Sequence, residues 1–253
     1  MPAAEHTLKV EAVVLRHSDW GEADRLLVIY SRQQGKLRIV AKGARRLHSR
    51  KAGHLEPFTR VSLMLARGRD LWIVTQAETI EAFLPLRESL LLTSQAAYVI
   101  ELLDRFTYDD GANATLYRLL CETLERLSKG EDTFVTLRYY DIHLLDLVGF
   151  RPQLFSCVRC QNEIKAVDQF FSAEEGGVIC PRCGINQAEL KPVSVQALKY
   201  LRHFQRSSFA DARRADVPAA VQSEIEALLN YYITYMLERG LNTPRFIREM
   251  REK

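Results

Sequence analysis

Hydrophobic and polar positions alternate in short stretches over the first third of the chain. The alternation is plain in 36–41, where one side carries Leu37, Ile39 and Ala41 and the other carries Lys36, Arg38 and Val40. A period of two residues is typical of a half-buried β-strand. Four further strands are predicted at 8–15, 25–30, 60–65 and 71–75, with a turn at 18–21 and a hairpin connection at 33–35. Five short strands in about 80 residues predict a small closed barrel, and the OB-fold is the commonest nucleic-acid-binding barrel of this kind.

From about residue 86 the apolar positions recur at the i, i+3, i+4 and i+7 spacing of an amphipathic helix. This pattern predicts helices at 89–106, 114–127, 133–148, 194–204 and 218–239, with a hairpin made by 169–172 and 176–179. The fold class that follows is a multidomain α+β protein. We expect an OB-fold β-barrel domain at 1–82, a helical domain at 83–150 and 190–253, and a cysteine-containing insertion at 151–189.

Four cysteines form two C-x-x-C pairs, Cys157 with Cys160 and Cys180 with Cys183, separated by nineteen residues. This spacing is typical of a zinc site, and four thiolate ligands leave no open position for water or substrate. We therefore predict one structural Zn²⁺ per chain. Disulfides, an iron–sulfur cluster and an empty site are the alternatives. The first residues lack the apolar segment of a secretory signal, so we expect a cytoplasmic protein, in which metal is favoured over disulfides. Cys121, in a helical stretch, is expected to be a small buried hydrophobe.

The charge of the chain is distributed unevenly. Between residues 31 and 69 there are eleven Lys and Arg side chains and one acid, Glu56, which gives +10, so the rest of the chain carries 3 − 10 = −7. A basic block of this kind is the expected footprint of polyanion binding, because an ordinary surface mixes both signs. A solvated surface is the alternative interpretation.

A glycine-bounded segment, 43–53, concentrates this charge between the third and fourth predicted strands. The candidate DNA-binding residues are Lys36, Arg38, Lys42, Arg45, Arg46, Arg50 and Lys51. Four aromatic residues interleaved with the bases could stack on unpaired bases, although each is more often a core residue: Trp20, Tyr30, Phe58 and Trp72. No helix-turn-helix or C₂H₂ pattern accompanies the charge, so we expect recognition of the phosphate backbone with little sequence preference.

Catalytic motifs are missing from the sequence, which contains no Walker loop, no G-x-S-x-G and no H-E-x-x-H. Glu22 and Asp24 lie close together beside Arg25, but such a group is more often a turn-stabilising ion pair than a nuclease site. We therefore expect a protein that is not an enzyme. No apolar run approaches the roughly 20 residues of a membrane span.

Several of these segments together resemble a known family. The segments are DWGEADRL at 19–26, GK at 35–36, AKGARR at 41–46, LEPF at 55–58, GRDLW at 68–72, QAE at 76–78, LVGFRP at 147–152 with the following cysteines, FS at 171–172 and GGV at 176–178. They resemble the bacterial RecO family of recombination mediators over nearly the whole chain. The architecture of that family, an OB-fold, a helical domain and a zinc-type insertion, agrees with the periodicity.

The resemblance implies more than the residues do. It implies binding of single- and double-stranded DNA, annealing of complementary strands, and a nucleoid-associated role in DNA repair by the RecF pathway. It also implies RecR and single-stranded-DNA-binding protein (SSB) as partners, RecF and RecA as indirect partners, and help in loading RecA. An acidic SSB tail would seek a basic-rimmed apolar pocket, which we expect in the helical domain. The alternative from another class is a zinc-stabilised scaffold that binds an acidic protein partner.

Overall fold

The structure of the protein is a computed structural model that describes residues 7–108, 111–187 and 189–237. The chain divides into two compact units, Met1–Lys129 and Gly130–Lys253, and each is described by itself.

The first unit begins with a closed five-stranded barrel. Its strands are β1 (Thr7–Trp20), β2 (Asp24–Ser31), β3 (Gly35–Ala41), β4 (Arg60–Arg67) and β5 (Trp72–Glu81). Their order is β1-β2-β3-β5-β4, and β4 pairs back with β1. The β3–β5 pair is parallel and the others are antiparallel. This confirms the five strands and the closed barrel predicted from the alternation.

One expected turn is placed differently. We predicted a turn at 18–21, but β1 continues to Trp20 and the turn begins at Gly21. The reason is that Ser18, Asp19 and Trp20 pair with three residues of β2, after a β-bulge between Val14 and Arg16. A bulge re-aims the strand after it, and no local sequence signal predicts it here.

The interior of the barrel is apolar. Leu27 and Ile29 of β2, Ile39 and Ala41 of β3, and Leu63 and Leu65 of β4 are fully buried in one cluster, and Leu37 packs against it. The predicted alternation along β3 is therefore confirmed, because Lys36 and Arg38 lie on the outer face while their neighbours fill the core.

Three helices complete the first unit: α1 (Pro85–Glu88), α2 (Leu90–Phe106) and α3 (Ala114–Ser128). The side chains of Ser89 and Asn113 accept hydrogen bonds from Leu92 and Leu116 and so cap the N-termini of α2 and α3. Burial on α3 raises the pKa of Cys121 to about 11, in agreement with its expected role as a buried apolar residue. Compactness groups these helices with the barrel, and the domain boundaries of the sequence analysis stay a prediction.

The second unit consists of helices around a small sheet. Its elements are α4 (Thr133–Leu147), β6 (Gln169–Ser172), β7 (Gly177–Ile179), α5 (Pro181–Gly184), β8 (Lys191–Val193), α6 (Val195–Arg206), α7 (Phe209–Ala212) and α8 (Ala219–Met236). The antiparallel β6–β7 pair confirms the predicted hairpin, and β8 adds a third strand on the other side of β6. The last predicted helix, 218–239, is confirmed as far as Met236, and its last two residues lie outside the described ranges. Within those ranges no helix is both long and apolar enough to cross a membrane.

Candidate metal centre and nucleic-acid interface

The four cysteines of the two C-x-x-C pairs meet at one point of the second unit. The Sγ atoms of Cys157, Cys160, Cys180 and Cys183 all lie within 4.8 Å of one another. Cys160 Sγ and Cys180 Sγ are 3.8 Å apart. A tetrahedral ion with metal–sulfur bonds of about 2.3 Å holds its sulfurs about 3.8 Å apart, whereas a disulfide needs about 2.05 Å. The arrangement therefore fits a four-thiolate metal site, as the spacing predicted.

Tight turns hold the two knuckles. The Gln161 N–H donates to Cys157 O at 2.8 Å, and the Cys183 N–H donates to Cys180 O at 2.9 Å. Arg159 then links the knuckles, because its guanidinium pairs with Glu175 and also donates to Cys183 O at 2.9 Å. Gly177 permits the close packing of the module, since a Cβ atom there would lie 2.6 Å from Gln153 O.

Backbone donors prepare one thiol for metal binding. Burial alone would raise the pKa of Cys157, but backbone N–H groups of Cys160, Cys180 and Arg159 outweigh it and lower the pKa of this thiol to about 6. Hydrogen bonds with Cys180 and Cys160 raise the pKa of Cys183 to about 12. A metal would therefore meet a thiolate at Cys157 and would displace a proton from Cys183.

On the barrel, the basic segment is fastened to the turn between β1 and β2. The Gly43 N–H donates to Asp24 Oδ1 at 2.7 Å, and the Arg45 N–H donates to Ala23 O at 2.9 Å. The Arg45 guanidinium lies 3.2 Å from Gly21 O and 3.1 Å from Asp19 Oδ2. Arg45 therefore holds this turn in place, which reduces its freedom to contact DNA.

Two other predicted DNA-binding residues also have internal partners. Lys36 Nζ donates to the backbone carbonyls of Asp104 at 2.7 Å and Thr107 at 3.2 Å, and it forms an ion pair with the Asp104 carboxylate. Lys51 Nζ donates to Val74 O at 3.0 Å. These contacts give both lysines a structural role that sequence reasoning did not identify, and they argue against Lys36 as a free DNA contact.

The other four predicted residues, Arg38, Lys42, Arg46 and Arg50, are exposed. Arg67 and Arg69, which we did not select from sequence, are exposed at the turn between β4 and β5. Within the described part of the chain, no carboxylate lies within ion-pair distance of these six side chains. An OB-fold binds oligonucleotides on its β2–β3 face and on the β1–β2 and β4–β5 loops. The charge count between residues 31 and 69 already included Arg67 and Arg69 but gave no reason to select them. Their position beside the β4–β5 turn is what makes them candidate DNA contacts.

The four candidate stacking aromatics differ in exposure. Tyr30 and Phe58 are buried, and Trp72 packs against the barrel core. Trp20 is 50% exposed. Among the described residues, the four cysteines form the one group of three or more His, Cys, Asp or Glu side chains close enough to hold a metal, and Glu22 and Asp24 are not part of such a group.

A basic groove of about 910 Å³ lies in the second unit. The α6 residues Lys199, Tyr200, Arg202, His203 and Arg206 line it together with Phe155. The Arg206 guanidinium stacks 3.4 Å from the centre of the Phe155 ring. Burial and the charge of Arg206 lower the pKa of Arg202, whose Nη2 is buried and has no hydrogen-bond partner among the described residues. The groove therefore combines an aromatic side chain with the exposed cations Lys199 and Arg206, and Glu163 adds one acid to its lining.

Comparisons with known proteins agree with this architecture. The family model "Recombination protein O N terminal" matches residues 5–83, and "Recombination protein O C terminal" matches residues 87–245. The chain is 39% identical to the DNA repair protein RecO of Roseiflexus sp. (strain RS-1) over 249 residues, which cover 98% of this chain and 87% of the relative. It is 36% identical to the RecO of Dehalococcoides mccartyi (strain ATCC BAA-2266 / KCTC 15142 / 195), with 92% of each chain covered. It is 30% identical to that of Bacillus pumilus (strain SAFR-032), with 96% of this chain and 94% of the relative covered.

The fold and the two sites define a class of OB-barrel protein whose basic barrel is followed by a helical unit with a four-cysteine module that could hold a metal. Within that class, the chain belongs to the recombination protein O (RecO) family. Membership in it gives the chain a role in DNA repair and recombination.

Proposed function

We propose that this protein is a recombination mediator without catalytic activity. It binds single- and double-stranded DNA through its barrel, anneals complementary strands and, together with RecR, helps to load RecA onto SSB-coated single strands in the RecF pathway. In this proposal it acts in the cytoplasm, in association with the nucleoid. The named partners rest on the family resemblance.

The observation that supports DNA binding most strongly is a group of exposed cations on and beside the OB-fold binding face, for which the described residues provide no carboxylate partner. We define the DNA surface as Arg38, Lys42, Arg46, Arg50, Arg67 and Arg69. Lys36, Arg45 and Lys51 belong to the layer beneath it, because they fix the loops that carry these side chains. The surface lacks base-reading helices, so phosphate contacts dominate and sequence preference is small.

Annealing follows from the same surface without a chemical step. Two complementary strands repel each other through their phosphates, and cations that neutralise both lower this barrier by releasing counterions. Base pairing then supplies the favourable free energy. Neither a nucleotide nor a catalytic metal is needed in this mechanism.

We propose that the metal held by the four cysteines is Zn²⁺. The donor set is all thiolate, and the 3.8 Å separation of Cys160 Sγ and Cys180 Sγ matches a tetrahedral ion. Because all four positions are filled by protein ligands, such an ion stabilises the module and takes no part in chemistry. An iron–sulfur cluster is the alternative that metal analysis would detect.

The basic groove on α6 is our candidate site for the acidic tail of SSB. Its exposed cations, Lys199 and Arg206, could pair with carboxylates, and Phe155 adds an apolar surface for an aromatic side chain.

A strand-annealing time course tests the proposal. Complementary fluorophore- and quencher-labelled strands are mixed with stoichiometric protein, without nucleotide or added divalent cation, at low and high salt. We expect faster annealing than the spontaneous reaction at low salt and loss of the effect at high salt. Combined Ala substitution of Lys42, Arg46 and Arg50 should remove most of the acceleration. Annealing no faster than the spontaneous rate, or a strict ATP requirement, contradicts the mediator function and favours the scaffold that binds an acidic protein.

A further inference from the structure

The most exposed of the candidate aromatic side chains lies at the edge of the proposed DNA surface. Trp20 is half exposed at the end of β1, whereas Tyr30, Phe58 and Trp72 are used in packing. An indole ring in water at this position contributes little to the stability of the barrel. Its exposure therefore needs an explanation outside the fold.

Strand register places Trp20 on the same face of the sheet as Arg38. Trp20 pairs with Asp24, and cross-strand partners in an antiparallel pair project from one face of the sheet. Further along that face Val28 of β2 pairs with Arg38 of β3. Asp24 in turn accepts the N–H of Gly43, from which the exposed part of the basic segment continues to Arg46. Trp20 and Arg38 therefore project to the same side of their strands, with the buried Val28 between them, and the Asp24–Gly43 contact brings the start of the basic segment to the turn after Trp20.

One of the three acids near Trp20 is paired with a cation, and backbone contacts hold the turn in place. Asp19 pairs with Arg45 at 3.1 Å, and Arg45 also donates to the carbonyls of Gly21 and Glu22. Asp24 is engaged with Gly43. Glu22 is the exposed acid of the turn, and no side-chain partner for it is found in the described ranges. Asp24 and Glu22 keep their negative charge, so a phosphate backbone would reach the ring from the side where Arg45 pairs with Asp19.

We infer that Trp20 is a base-stacking platform that makes this surface prefer unpaired DNA. The inference rests on the proposed DNA-binding function and adds a specificity-determining residue to it. Phosphate contacts are available from single strands and duplexes alike, whereas an indole can stack only on a base that is not already stacked within a helix. Trp20 therefore adds affinity for single strands alone.

Two measurements test the inference. The chain has two tryptophans, so the W72F variant leaves Trp20 as the sole indole reporter. We expect oligo(dT) to quench its fluorescence and a duplex of equal length to bind without comparable quenching. In the otherwise unchanged protein, W20A should weaken oligo(dT) binding by roughly 5- to 150-fold, the equivalent of one stacked base, and leave duplex binding nearly unchanged. The salt dependence of binding should keep its slope, because no phosphate contact is lost.

W20F is the matched control and should recover most of the single-strand affinity, since a phenyl ring still stacks. E22Q, which changes the acid two positions after Trp20, should slightly strengthen binding of both DNA forms, because it removes a charge that repels phosphate. If W20A loses affinity for single strands and duplexes equally, or loses affinity for neither, the inference is overturned and the proposed function stays intact. If W20A binds both DNA forms like the unmodified protein, Trp20 would instead be a contact for a protein partner. Failure of the unmodified protein to bind either DNA overturns the proposed function itself.

Discussion

The Asp24 carboxylate accepts a 2.7 Å hydrogen bond from the backbone N–H of Gly43, nineteen residues later in the chain. This contact joins the turn after β1 to the start of the basic segment. It lies beside the contacts of Arg45 with the same turn. These contacts distinguish two kinds of cation. Arg45 holds the surface in place through internal partners, whereas exposed residues such as Arg46 are available to contact DNA.

The first prediction concerns the adjacent residues Arg45 and Arg46. R46A should weaken DNA binding, reduce the slope of log affinity against log salt by about 0.9, and leave stability unchanged, because its side chain is exposed and only a phosphate contact is removed. R45A should instead cost about 1 kcal/mol of folding free energy, since its partly exposed ion pair and carbonyl contacts are lost. Urea unfolding and DNA titrations at several salt concentrations measure both effects.

D24A serves as a control for that pair, because it releases Gly43 without removing any cation. It should resemble R45A in losing stability while keeping the full salt slope. A substantial stability loss in R46A, or none in R45A, would contradict the division of roles.

The second prediction is that Lys36 contributes to stability rather than to DNA affinity. K36M should lower the free energy of unfolding by about 2 kcal/mol, because it leaves two carbonyls and the Asp104 carboxylate without their shared donor. K42M is the matched control, because Lys42 is exposed and has no ion-pair partner among the described residues, and it should change stability by less than about 0.5 kcal/mol. DNA affinity should follow the opposite order. A K36M protein that unfolds like the wild type and loses DNA binding would restore Lys36 to the DNA surface.

The third prediction concerns acid stability. Burial favours the neutral form of Asp104, but hydrogen bonds and charges from Lys36 and Arg16 outweigh it, so its pKa lies below the ordinary value. Arg25 and His17 likewise outweigh burial and lower the pKa of Glu56. A carboxylate with a lowered folded-state pKa stabilises the fold above its unfolded pKa, which is about 3.9 for Asp and 4.3 for Glu, and this contribution is lost as the pH falls through the lower folded-state value.

We therefore expect the urea midpoint to fall as the pH drops below about 4.5. D104N should be less stable at neutral pH and should show a shallower acid decline, because it has no proton to take up. Parallel curves for D104N and the unmodified protein would show that Asp104 does not contribute to the pH dependence.

The fourth prediction concerns the metal. The purified protein should hold one Zn²⁺ per chain, and replacing both Cys157 and Cys160 with Ser should release it and expose the module around residues 151–189 to protease. The cause is that binding and local folding of such a module share one free energy. DNA binding by the barrel should change much less than in the R46A variant.

C121A provides the control for the metal experiment, since its thiol is buried on α3 and belongs to the other unit. This variant should keep the full metal content. Protein that contains no metal and no free thiols would indicate disulfides, and iron with sulfide would indicate a cluster.

Local patterns of the sequence determined the elements and the metal site. The alternation of Leu37, Ile39 and Ala41 predicted a core-facing strand because side chains alternate across a strand whatever its neighbours are. The C-x-x-C spacing predicted that the four cysteine sulfurs meet at one metal site, because a tight turn fixes the geometry of each pair. The charge count indicated a basic barrel, since the total charge does not depend on contacts.

Only the tertiary structure decided which cations and which aromatic are available. Lys36 meets its carbonyl partners 68 and 71 residues away, and Arg45 meets Gly21 from 24 residues away. The sequence gives no reason to treat Trp20 and Trp72 differently. In the structure Trp20 is exposed at the end of a strand, whereas Trp72 packs against the barrel core. The physical reason is that strand period and turn chemistry act over a few residues, whereas the partner of a long side chain depends on which distant segments the closed barrel and its helices bring together.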